Sequence, residues 1–197
     1  MLSRRTKCLL LVSTLAAFMI GIAAWQHRRY KHLAVHEPGM IHRSAWLDAD
    51  VLSSLIEEHQ YRSVVNLCGP DEMGRQRWVD EEHAVTKAGA KFLVAPMPFS
   101  ASPAETEIAK HLEIMNNPDN YPMLVHCQHG VTRTAKFLAI YDIVHRKRTA
   151  DESLSDMPLF GRDDHSVNVR AFVRSFERQY RNLYPQARAG ALDILAN

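Results

Sequence analysis

The chain is short of cysteine, with three in 197 residues, and short of aromatic residues, at 8%. Cysteines at 8, 68 and 127 cannot form a disulfide scaffold, so the fold has to rest on an apolar core. Strong charge of either sign is absent: the formal net charge is +2, which argues against a nucleic-acid-binding protein. Internal repeats and low-complexity tracts are missing, which excludes solenoids and collagen-like chains. No second ligand pair follows His126, Cys127 and His129 at zinc spacing, so no metal site is expected.

One long uncharged run is present. After Arg4, Arg5 and Lys7, residues Cys8 to Trp25 carry no charge and are mostly apolar. At about 1.5 Å per residue a helix over this run would reach about 27 Å, close to a bilayer core. Residues 1–26 are therefore expected to be a single transmembrane anchor, with Ile22-Ala23-Ala24 leaving a cleaved signal segment as the competing account. Arg28, Arg29 and Lys31 balance the charges before the run and leave its orientation open. A bacterial signal-anchor would place the domain in the periplasm, with a cytoplasmic orientation the alternative. Residues 27–38, basic and rich in histidine, are expected to be a juxtamembrane stalk.

Residues 39–186 suit one domain, and 187–197 a tail. Hydrophobic periodicity predicts helices over 49–60, 77–88, 103–116, 133–146, 149–157 and 166–184, and strands near 41–46, 61–68, 91–97 and 122–126. Asp48 is expected to cap the first of these helices and Gly89 to end the second. Strands alternating with helices imply an α/β fold of three layers, a mostly parallel central sheet with helices on both faces. Such sheets carry their sites at the carboxyl ends of strands.

One such end holds His126-Cys127-Gln128-His129-Gly130-Val131-Thr132-Arg133-Thr134. A tight loop between strand and helix can turn several amides inward at a helix N-terminus, making an anion cradle from Gln128, His129, Gly130, Val131 and Thr132. Cys127 at its entrance would ionise readily, and Arg133 can hold two phosphoryl oxygens with its planar fork. Gly130 permits the sharp turn, Thr134 offers a hydroxyl to the sulfur, and His126 orients the loop from behind.

These residues resemble the signature of the cysteine-dependent protein tyrosine and dual-specificity phosphatases, His-Cys-x-x-Gly-x-x-Arg-Ser/Thr. The chain is similar to bacterial membrane-bound or periplasmic members, and distantly to the phosphatase-and-tensin type, over about 41–184. The resemblance implies a hydrolase of phosphate monoesters working through a phosphocysteine, with no cofactor and a phosphorylated protein as substrate. Phosphotyrosine comes first, then phosphoserine and phosphothreonine. An inositol phosphate or phosphoinositide phosphatase is the second enzyme reading, and a membrane-tethered phosphate-binding pseudophosphatase the non-enzymatic one.

Two departures and one further likeness matter. The family carries an acidic residue in the loop after the strand at 91–97, but Pro98 to Pro103 has none, and Ala101 or a neighbouring serine stands at the expected position. Asp164 is the expected substitute general acid, ahead of Asp71, Glu72, Glu105 and Asp163. Ala135 replaces the usual glycine after the Arg-Ser/Thr pair, which a helix tolerates. Cys68, ending a neighbouring strand, resembles the backdoor cysteine of the phosphatase-and-tensin type and is a possible redox partner of Cys127.

Overall fold

The computed structural model describes residues 4–100, 102–105, 107–156 and 167–184. Helix α1 (Arg4–Tyr30) leads into a five-stranded sheet whose order is β1-β2-β5-β3-β4. The strands are β1 (Ala34–Glu37), β2 (Ile41–Ala45), β3 (Ser63–Asn66), β4 (Lys91–Val94) and β5 (Met123–Cys127). β2, β5, β3 and β4 run parallel, and β1 joins the edge antiparallel to β2, so the sheet is mixed. Between them lie α2 (Ala49–His59), α3 (Arg75–Lys87) and α4 (Ile108–Asn116), followed by α5 (Thr132–Val144), α6 (Ala150–Ser155) and α7 (Val167–Leu183).

Alternation along the strands divides the core in two. Val64 and Leu124 face a cluster with Val51, Leu52, Leu55 and Ile56 of α2 and Val85 of α3. Val65, Met123 and Val125 face the other cluster, with Phe137 and Ile140 of α5 and Phe172 and Val173 of α7. Helices therefore cover both faces. β5 is central, flanked by β2 and β3, and is buried at every position. α5 is buried nearly all round, because it packs on the sheet and against α6 and α7.

Several expectations change. The transmembrane helix is not found: among the described residues no helix is long and apolar enough to cross a membrane. Residues 4–30 do form one helix, with Leu11, Leu15 and Phe18 exposed along it. The expected stalk is instead the end of α1 followed by β1, a sheet strand too short to show a period, so the ordered fold begins before residue 39. Asp48 sits at the N-cap of α2 without capping it, because its carboxylate is taken by Lys31 at 2.8 Å and Arg77 at 3.4 Å. The helix expected over 103–116 is broken into a 3-10 turn, Pro103–Glu105, and α4.

Candidate active site

β5 delivers Cys127 to the carboxyl end of the sheet, beside Ala45 of β2 in register. Its predecessor His126 lies between Ser44 of β2 and Asn66 of β3. The chain then turns through Gln128 to Val131 into α5, whose N-terminus points its free amides at the loop. Gly130 takes φ +65°, and a Cβ there would fall 2.6 Å from the amide nitrogen of Ala45 and closer still to the Ser44 carbonyl. Only glycine fits this approach.

The loop is fastened from outside. The buried Arg43 guanidinium of β2 donates to the Gly130 carbonyl. The Trp46 amide donates to the Gln128 carbonyl at 3.3 Å, and a ring nitrogen of His32 meets the His129 carbonyl at 3.0 Å. Sequence reasoning missed these braces, since nothing local marks Arg43 or His32 as neighbours of the loop.

Cys127 is 3% exposed. Burial works to raise its pKa, but hydrogen bonding from the Thr134 side chain and amide, the Arg133 charge and the Val131 amide overcome it, and the thiol is held below its ordinary value. The Thr134 hydroxyl is wholly buried with no other partner among the described residues. The structure thus brings together Cys127, Arg133, Thr134 and the loop amides.

Arg133 is pinned on three sides. Its Nη1 donates to both oxygens of Glu72, at 2.9 and 2.6 Å, and to the Leu67 carbonyl at 3.3 Å. The Phe99 ring covers the guanidinium at 4.5 Å. Its Nε is buried and has no partner among the described residues. Glu72 itself accepts from the Gly69 amide at 2.6 Å, which fixes the short turn after β3.

Where the family resemblance would put an acid-bearing loop, the segment 98–100 is held by a lysine. Lys136, one turn after Arg133 on α5 and fully buried, donates from Nζ to the carbonyls of Pro98 (3.3 Å), Phe99 (3.1 Å) and Ser100 (2.6 Å). Its charge also lies 4.9 Å from the Phe172 ring. Asp164, Asp163 and Ala101 fall outside the described residues. Asp71 is exposed on the β3–α3 turn, and Glu105 ends the 3-10 turn. Among the described residues, the candidate acid Glu72 places its carboxylate on Arg133.

Behind the loop, His126 meets Glu81 of α3, which also accepts from the Asn66 side chain, in a buried group that sequence reasoning also missed. Cys68 is a free thiol in the core, pushed up to about 12 chiefly by burial. Among the described residues no cluster of histidine, cysteine and carboxylate groups could hold a metal ion. A cavity of about 760 Å³ lined by Tyr61, Arg62, Lys91 and Pro122 lies at the opposite ends of the parallel strands, away from this chemistry.

Comparison with known proteins agrees with this geometry. No curated protein matches the sequence. Among solved structures, P. aeruginosa TpbA is similar at TM-score 0.54 and 22% identity, covering 74% of this chain and 89% of that one, and a further structure of it is in complex with pTyr. The core catalytic domain of the PP-IP phosphatase SIW14 from S. cerevisiae is similar at TM-score 0.57 and 20% identity, over 82% and 92% of the two chains. Tk-PTP is similar at TM-score 0.60 and 17% identity, over 77% and 97%. At such identities these likenesses establish the fold. A family model described as a DSP-PTPase phosphatase fused to NAD+ kinase matches residues 41–175, well over half of the sequence. With the thiol, the amide loop and the guanidinium at one strand end, the chain belongs to this family of cysteine-dependent dual-specificity and tyrosine phosphatases.

Proposed function

We propose that this phosphatase acts on phosphoproteins, phosphotyrosine first and phosphoserine or phosphothreonine second. The observation that carries the mechanism is a thiol biased toward thiolate beside a buried guanidinium Nε with no hydrogen-bond partner among the described residues. The Cys127 thiolate attacks phosphorus in line and the ester P–O bond breaks. Meanwhile the amides of 128–132 and Arg133 bind the equatorial oxygens, where transition-state charge is spread. The leaving oxygen takes a proton from the general acid, for which Asp164 remains the proposed residue. Water then displaces sulfur from the phosphocysteine, and the Thr134 hydroxyl stabilises the departing thiolate. Cys127, Arg133 and Thr134 supply this chemistry without a cofactor.

Two features support the protein substrate. Phe99, 57% exposed at the Arg133 edge of the pocket, offers an aromatic wall to an aryl ester. Gln128 and His129 place no lysine or arginine in the variable loop positions, where a densely charged inositol phosphate would need several. The likeness to the SIW14 core favours the inositol reading as second. Membrane attachment through α1, with the domain in the periplasm, belongs to the same proposal. It is supported by the uncharged run and by exposed Leu11, Leu15, Phe18 and Trp25. Oxidative pairing of Cys68 with Cys127 belongs there too, although a thiol at about 12 would react slowly as the resolving partner.

The full-length chain is expected to release phosphate from an aryl phosphate, and Cys127→Ser to abolish release while still binding phosphopeptide. Equal inertness of the two proteins, with binding retained, would mark a pseudophosphatase instead. A higher kcat/KM for inositol pyrophosphates than for phosphotyrosine peptides would overturn the substrate assignment.

A further inference from the structure

The group behind the nucleophile has a chemistry of its own. On α3 the inward positions are Glu81, Ala84 and Val85, so a glutamate stands where helix spacing calls for an apolar side chain. Glu81 is 2% exposed. Burying a carboxylate costs several kcal/mol unless an opposite charge and hydrogen bonds compensate it. Oε1 lies 2.6 Å from Nε2 of His126, itself 2% exposed, as a charge contact without hydrogen-bond alignment. Oε2 accepts from the Asn66 amide at 2.9 Å, and the Asn66 oxygen accepts from the Cys68 amide at 2.8 Å. One oxygen is thus fixed by β3 while the other faces the imidazole.

We propose that Glu81 is a positioning residue for the phosphatase reaction: its buried carboxylate keeps the His126 ring charged immediately behind Cys127, and that imidazolium stabilises the thiolate. The inference rests on the phosphocysteine mechanism above and adds a residue to it.

The surroundings agree in sign. Burial, the largest single influence, would push His126 toward the neutral ring, but the charge and hydrogen bonding of Glu81 together with the Cys127 charge and backbone outweigh it, and the imidazole titrates above its ordinary value. The other groups around the pair are few. β2 contributes Ser44 beside His126 in register, with the Arg43 guanidinium on the Gly130 carbonyl. The Trp46 ring stands 5.8 Å from the imidazole, with Arg77 of α3 over that indole. β3 and the turn after it contribute Asn66, Cys68 and, through Arg133, Glu72. α5 contributes Arg133 and Thr134 on the sulfur side. Glu81 is the one carboxylate in contact with His126 among the described residues. In Glu81→Gln the amide keeps the shape and can still meet Asn66, but the imidazole loses its counter-charge. The buried ring becomes neutral, and Cys127 loses a positive neighbour.

The experiment follows alkylation of Cys127 against pH in the full-length protein, which reads the thiolate whether or not phosphate is turned over. For Glu81→Gln the midpoint is expected to rise. Alkylation at a pH below the midpoint should slow about tenfold for each unit of rise, with the plateau at high pH unchanged. Glu81→Asp should recover part of the shift, and in a His126→Asn background Glu81→Gln should move the midpoint no further. A residue that merely supports the fold would lower thermal stability and leave the midpoint in place, which overturns the proposal. So would a shift that persists undiminished without His126. Should Glu81→Gln not fold, NMR titration of the wild-type imidazoles decides: His126 is expected to be charged at pH 7, and a neutral ring there refutes the role. Loss of phosphatase activity with the alkylation result intact would sink the mechanism and leave this pair standing.

Discussion

Gly130 carries the tightest steric constraint in the loop. Its backbone is left-handed, and the β2 backbone fills the space a side chain would take. The left-handed conformation costs a non-glycine residue about 1–2 kcal/mol, and overpacking about 1–3 more. Gly130→Ala is therefore expected to lower stability by about 2–5 kcal/mol, read from the urea midpoint, and to loosen phosphate binding with it. Glu72 is a milder case. It is 37% exposed, so its pair with Arg133 is screened, and Glu72→Gln should raise KM for an aryl phosphate by at most about fivefold. The acid has its own test. General acid help is worth about 10²–10⁴-fold, so Asp164→Asn should cost that much on alkyl phosphates and far less on aryl ones; with Asp164 as the acid, Ala101→Asp should leave the alkyl rate unchanged, and a higher rate would mean that the acid is missing. The nine residues from His126 to Thr134 were legible in the sequence because the chemistry sits in consecutive positions. Arg43, Glu81 and Lys136 were not, and Glu72 was legible only as a candidate acid and not as the partner of Arg133, because each acts on a residue distant in sequence and brought close by strand register, a helix face or a turn.

At the level of elements, α5 does two things within one turn. Arg133 faces the loop, and Lys136 gathers three carbonyls of the segment after β4. The carbonyl oxygens and the Phe172 ring replace part of the hydration that the buried Lys136 ammonium gives up. Lys136→Met keeps the apolar stem and removes the charge. Hydrogen exchange at residues 99 and 100 should quicken, and Phe99 should lose its place over Arg133, seen as a raised KM for phosphotyrosine peptides. Unchanged exchange would mean that the segment is held by something else. The amphipathic helices α2 and α7 were readable from periodicity, since each has one face in the core, and the buried strands β3 and β5 from short apolar runs. The edge strand β1 was not, because Ala34-Val35-His36-Glu37 is short, half-buried and looks like solvated linker. The cap at Asp48 misled for a related reason: two cations from other elements compete for a carboxylate that local rules would assign to its own helix.

Across the molecule, one buried carboxylate ties the edge of the sheet to the helical layer. Asp142 of α5 binds His36 of β1 at 3.0 Å, Ser153 of α6 at 2.7 Å and Arg146 at 3.3 Å. Burial works to raise its pKa, but the contacts with His36, Ser153 and Arg146 hold it below the ordinary value. A depressed carboxylate contributes its stability fully above the unfolded value, about pH 4, and loses it as pH falls through the folded one. Asp142→Asn should therefore flatten the acid limb of stability below about pH 4. Asp142→Ala, which strands three partners, should cost about 3 kcal/mol at neutral pH. The proposed membrane attachment also belongs to this scale: the chain should float with vesicles, and a variant lacking α1 as far as residue 26 should not.

The segment leaving α1 does more than connect. The Lys31 carbonyl accepts from Ala45, the neighbour of Cys127, at 2.7 Å, and His32 meets the His129 carbonyl. A pull or tilt applied to the amino-terminal helix is therefore delivered straight to the rim of the phosphate pocket, with no intervening flexible tether to absorb it. Whatever surface grips that helix has a mechanical handle on turnover.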